Sequence, residues 1–158
     1  QTKKGPRFLT IDWPEGYVTR FEADDNRIVF SGYHNAFKNL HKRMIEYRGD
    51  CYIITDVIDN RERNKINIKL NWNIGTEIEK ISDNKCRLII NDKESLIMEI
   101  TSSTKGSLSI YYGDKDKLAG WKSPYYGEMI PVNQLVYEVD STKTNEELCT
   151  FIYYTNKK

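Results

Sequence analysis

The sequence predicts an all-β fold, a two-sheet and mostly antiparallel β-sandwich, on three observations. Alanine is nearly absent: only Ala23, Ala36 and Ala119 occur, while Ile, Tyr, Thr and Val abound. Alanine favours helix, and β-branched and aromatic residues favour strand. Short apolar-rich runs recur with turn residues between them, and no 3.6-residue pattern lasts beyond two turns, which speaks against a βαβ arrangement. Ile66, Ile68, Leu70 and Trp72 alternate with Asn67, Lys69, Asn71 and Asn73, as in a strand with one face in a core and the other in water.

Taken in order, the first strand covers residues 17–21 and turns at Asp24-Asp25-Asn26 into a second over 27–30. Strands over 40–47 and 51–58 flank Arg48-Gly49-Asp50, and the alternating strand covers 66–72. Runs at 77–81, 86–90, 96–100, 107–112, 134–139 and 148–154 complete a set of eleven. Cys51-Tyr52-Ile53-Ile54 is apolar on both faces and reads as a central strand covered on both sides, so that something further is expected to pack on the sandwich. Between 113 and 131 the rhythm breaks at Gly113, Gly120, Pro124, Gly127 and Pro131, around Trp121, Tyr125 and Tyr126. A long ordered loop of this kind is often functional.

A length of 158 residues suits one domain, here a single sandwich over residues 1–158. Lys plus Arg (24) nearly balances Asp plus Glu (23), so no whole-chain field recruits nucleic acid or anionic membrane, and neither is expected as a partner. The apolar runs fall far short of the ~20 residues a spanning helix needs. Cys51, Cys86 and Cys149 are odd in number, far apart and never in a C-x-x-C pair. They read as small apolar strand residues and not as a zinc ribbon or disulfide framework, with one long-range disulfide as the alternative. Neither G-x-S-x-G nor a phosphate loop occurs. The start, Gln1-Thr2-Lys3-Lys4 running into Gly-Pro-Arg, shows no initiator Met or signal peptide, and the chain reads as a piece of a longer one.

The chemistry concentrates in one hairpin. Gly49-Asp50 can form a two-residue type II′ loop, which makes every cross-strand pair sum to 99. Tyr47 then faces Tyr52, Ile45 faces Ile54, and Arg43 faces Asp56, with His41 diagonal to Asp56 on the same side. A carboxylate on an otherwise apolar strand needs a positive or metallic neighbour if buried. Two readings follow: an Arg43–Asp56 ion pair with His41 at its rim, or a His/Asp pair held for metal or substrate. Structural zinc wants four protein ligands and catalytic zinc three. The one other histidine, His34, falls in what reads as a loop.

With these residues in view, the chain resembles the C-terminal β-sandwich domain of the heparinase II/III-like polysaccharide lyases. The resemblance runs through His41-Lys42-Arg43-Met44-Ile45 and Gly49-Asp50-Cys51-Tyr52-Ile53-Ile54-Thr55-Asp56, then Trp72-Asn73-Ile74. It continues through Gly120-Trp121-Lys122-Ser123-Pro124-Tyr125-Tyr126-Gly127 and Glu147-Leu148-Cys149-Thr150-Phe151-Ile152. It implies a bacterial, extracytoplasmic enzyme of two parts: an upstream α/α-toroid with most of the catalytic groups, and this sandwich as one wall of the cleft. The implied reaction is β-elimination on a uronic-acid glycan, with a Tyr or His base taking the C5 proton and donors stabilising the enolate-like charge. The resemblance further implies a zinc held at His41, Asp56 and a second histidine; where that histidine is expected, this sequence has Asn73, a poor zinc ligand.

The expected substrate-binding residues are His41, Arg43, Trp121, Lys122 and Tyr125. Flat aromatic faces stack on sugar rings, and Lys122 can meet a uronate carboxylate. A packing role competes for Trp121 and Tyr126, which would plug the sandwich edge. Arg61-Glu62-Arg63-Asn64-Lys65 reads as a solvated turn. Alone, the fragment is expected to be catalytically silent. The alternative from another class is a noncatalytic carbohydrate-binding or structural module using the 121–126 loop.

Overall fold

Ladder pairing carries the strands further than their apolar residues do. In the computed structural model, which describes residues 15–35 and 39–155, there are thirteen strands and no helix among the described residues. The opening stretch Gln1 to Arg7, read above for processing signals, lies outside them. The strands are β1 (Gly16–Ala23), β2 (Ile28–His34), β3 (Leu40–Tyr47), β4 (Cys51–Asp59), β5 (Ile66–Ile74), β6 (Glu77–Ser82) and β7 (Lys85–Ile89). There follow β8 (Ser95–Ser102), β9 (Ser107–Tyr112), β10 (Trp121–Lys122), β11 (Ile130–Pro131), β12 (Asn133–Ser141) and β13 (Asn145–Tyr154). All eleven expected strands are present. Most run past their expected ends because backbone pairing continues through polar positions such as Asn73, Asp140 and Glu146. The two additional strands, β10 and β11, form a two-pair ladder inside the 113–131 loop.

Eight strands form one antiparallel sheet in the order β1-β2-β3-β4-β13-β8-β7-β6, and β5-β12-β9 form the second. Alternation decides which side of each strand faces in. Ile68 and Leu70 of β5 and Leu135 of β12 meet Met98, Ile100 and Leu148 of the large sheet in one core. That core draws nothing from β1, β2 or β3. Three strands cannot cover eight, and among the described residues the part the smaller sheet leaves uncovered is this end. The register Phe21–Phe30–Ile45–Ile54 puts these residues on one face, as does Val18–Gly32–Arg43–Asp56. On that face Val18 (65%), Phe21 (68%) and Ile28 (43%) remain exposed.

Cys51 to Ile54 were expected to be covered on both faces, and the structure corrects this. The strand β4 is central in sheet order, yet Tyr52 is 49% exposed and only Ile54 is buried. Tyr52 faces the overhang, beyond the reach of the three-stranded sheet.

On the opposite face of β3, Glu46 is buried between two guanidinium groups, accepting from Arg48 Nη2 at 2.9 Å and Arg27 Nε at 2.7 Å. Hydrogen bonds from Arg48 and then Arg27 draw its carboxyl down from 4.5 to about 2. A depressed carboxyl stabilises the fold above its unfolded value and loses that contribution as pH falls through its folded value. Glu46→Gln should therefore flatten the melting-temperature profile between about pH 4.5 and pH 2. Equal slopes in variant and parent over that window would refute it.

Candidate functional site

The turn after β3 sets the geometry. Gly49 takes φ +67°, and Asp50 N–H donates to Arg48 O at 2.7 Å while Arg48 N–H donates to Cys51 O at 3.0 Å. Pairing then follows the expected sum: Tyr47 with Tyr52, Ile45 with Ile54, Arg43 with Asp56, His41 with Ile58. The Tyr47 and Tyr52 rings lie 4.8 Å apart, centre to centre.

Asp56 is fully buried. Its Oδ1 accepts from His41 Nε2 at 2.5 Å and from Arg43 Nε at 2.7 Å, and its Oδ2 accepts from Arg43 Nη2 at 3.0 Å. Burial alone would push this carboxyl up; the hydrogen bonds from His41 and Arg43, aided by the Arg43 charge, outweigh it and hold it below its usual range. The Arg43 guanidinium also lies 5.7 Å from the Trp72 ring centre, tying β3 to the smaller sheet.

His34 is the residue the sequence reading misplaced. It is no loop residue but the last of β2, directly across from His41, with His34 Nε2 2.9 Å from His41 Nδ1. The rings meet edge to face at 4.8 Å. Burial, then the electrostatic influence of the neighbouring His41 and Arg43, pushes the His34 imidazole below its usual value. The signal lay in the register: Ile28 to His34 and His41 to Tyr47 are both seven residues long and sum to 75 in every pair. A shallow cavity of about 290 Å³ opens beside this cluster, lined by Val18, Phe30, Gly32, Tyr33, His34 and Arg43 among others.

The zinc set does not fit. His41 has both ring nitrogens engaged and Asp56 both oxygens. Asn73 is exposed and lies on the opposite side of β5 from Trp72, so it does not join them. The buried side-chain N and O atoms without a partner, Asn60 Oδ1, Trp72 Nε1 and Thr150 Oγ1, include none on His41 or Asp56. Among the described residues no three His, Cys, Asp or Glu side chains come together as a metal site.

The loop residues form a second group, none of them lining that cavity. Trp121 is half-buried, with its ring against Gly113 and its indole N–H donated to Asp114 O at 3.1 Å. Lys122, Tyr125 and Tyr126 are exposed. Trp121 thus packs on Gly113 and Asp114 within its own loop, whereas Tyr126 stays open to solvent.

No family model matches the sequence, and no curated protein does. Solved structures do match. The heparan sulfate lyase HepC from Pedobacter heparinus superposes with a TM-score of 0.74 at 13% identity, over 90% of this chain and 22% of that one. A heparinase III described as the BT4657 gene product gives 0.72 at 15%, over 90% and 22%, and a further heparinase III gives 0.72 at 13%, over 99% and 23%. The chain spans less than a quarter of the length of these proteins. Its fold is that of a heparinase III-like all-β sandwich.

Proposed function

We propose that this chain is the C-terminal sandwich of a polysaccharide lyase acting on uronic-acid glycans, docked on a helical domain of the same polypeptide and inactive alone. The observation that carries the reading is the overhang: a sheet end with Val18, Phe21 and Ile28 exposed, beside a cavity whose wall holds His34, His41 and Arg43. Large apolar side chains left in water side by side on one sheet end support an interface reading. In the reaction proposed, a base elsewhere in the parent removes the C5 proton. The C5–H electrons form the C4–C5 double bond as the C4–oxygen bond breaks, and the leaving oxygen gains a proton. The N–H groups of Arg43 not spent on Asp56 would then meet the substrate carboxylate from the cleft wall, with Asp56 fixing Arg43 and His41 in place.

The test uses the parent polypeptide and the ultraviolet absorbance of the unsaturated uronate product. Parent protein should generate that absorbance from an acidic polysaccharide, and this chain alone should not. Phe21→Asp should change the stability of the isolated chain by no more than about 0.5 kcal/mol, since the side chain is mostly exposed. In the parent it should lower both melting temperature and lyase rate. A parent variant indistinguishable from its wild type would remove the docking claim.

A further inference from the structure

The 113–131 loop ends in a prong that the core does not use. Trp121 pairs with Pro131 and Lys122 with Ile130. Beyond them Glu128 N–H donates to Tyr125 O at 3.1 Å, with Gly127 at φ +79°. That is a type II turn, whose third position needs a residue at ease with positive φ. Ser123 Oγ also donates to Tyr125 O at 2.7 Å. At the base, Gly120 N–H donates to Gln134 Oε1 at 2.7 Å, and Val132 N–H to Gly120 O at 2.8 Å. The prong is thus tied at its foot and closed at its tip. It nevertheless displays Tyr125 (74% exposed) and, at the turn apex, Tyr126, as open as in an extended peptide (103%). Lys122 is exposed as well and makes no ion pair with any described carboxylate.

We infer that this prong is a glycan-binding site, separate from the cleft wall, in which Tyr125 and Tyr126 stack on pyranose rings and Lys122 meets an acidic group. Two rings with open faces and one unspent cation supply what an acidic sugar offers partners for: an apolar ring face and a carboxylate or sulfate. A protein partner would be met by an apolar knob with neighbours packed round its rim, and Tyr126 has none. The choice of an acidic glycan rests on the function proposed above. Glu128 is the only carboxylate between 121 and 131, so its removal should help a polyanion bind.

The experiment is titration of the folded chain with heparan sulfate, alginate and a neutral glucan at low salt. An acidic polymer should bind, Tyr126→Ala and Tyr125→Ala should each weaken it about tenfold, Lys122→Gln should weaken it, and Glu128→Gln should tighten it. Melting temperatures should not move for Tyr126→Ala, because the ring touches so little. Binding unchanged in the tyrosine variants, or confined to the neutral glucan, overturns the prong site while the lyase assay of the parent still stands. Absence of binding to any polymer overturns it too, and that assay then decides the cleft reading separately.

Discussion

Asp56→Ala is expected to lower the unfolding free energy by about 3 kcal/mol, because it leaves the Arg43 guanidinium facing a buried gap without its counter-ion and strips His41 Nε2 of its hydrogen-bond partner. The Arg43 side chain is 40% exposed, so the cost should sit at the low end of the range for broken buried pairs. For a chain of this length that corresponds to roughly 10 °C in melting temperature. A control separates the loss of the pair from its net worth. Replacing Arg43 and Asp56 together by Met and Leu should recover most of the loss, since a well-packed apolar substitute often matches a buried ion pair. The pH dependence follows from the carboxyl being held below its ordinary value of 3.8. Its contribution is present above that value and is lost as pH falls through the folded value, so Asp56→Ala should erase this part of the acid transition. Denaturant titration decides it: a loss under 1 kcal/mol would mean that the cluster holds nothing in place.

How far the site could be read from the sequence depended on how local its causes are. The 41–58 hairpin was legible because one turn, Gly49-Asp50, fixes the register of both strands, and the period of two then fixes which side chains share a face. The same alternation already put Asn73 in water, opposite Trp72. His34 escaped because Ser31 and Gly32 interrupt the apolar pattern, although the backbone ladder with β3 does not stop there. The division into eight strands and three, which creates the overhang, depends on β13 inserting between β4 and β8. That pairing joins Asp59 to Asn145, and nothing in either local sequence announces it. In the loop, exposure of Tyr126 and partial burial of Trp121 are set by what lies beside Gly113 and Asp114, a three-dimensional fact with no periodicity behind it.

Gly120→Ala should cost about 3 kcal/mol and should loosen the prong at its foot. Two causes act together. The residue sits at φ +76°, where a side chain costs about 1–2 kcal/mol. A Cβ there would also lie 2.7 Å from Gly113 N, 2.8 Å from Tyr112 Cα and 2.9 Å from Tyr111 C. All three are backbone atoms at the end of β9, so no side chain can rotate away to make room. Relief requires the strap between Gly113 and Gly120 to part, which weakens the bonds from Gly113 N–H and Val132 N–H to Gly120 O. Gly127→Ala isolates the first cause, since its φ is nearly the same at +79° and nothing lies within 4 Å of its Cβ. That variant should lose only about 1 kcal/mol. Amide exchange adds a local readout, in which Gly113 and Val132 should lose protection in Gly120→Ala and keep it in Gly127→Ala. If the two variants proved equally stable, the close approach of the strap to β9 would be wrong, and a rigid foot for the tyrosine prong with it.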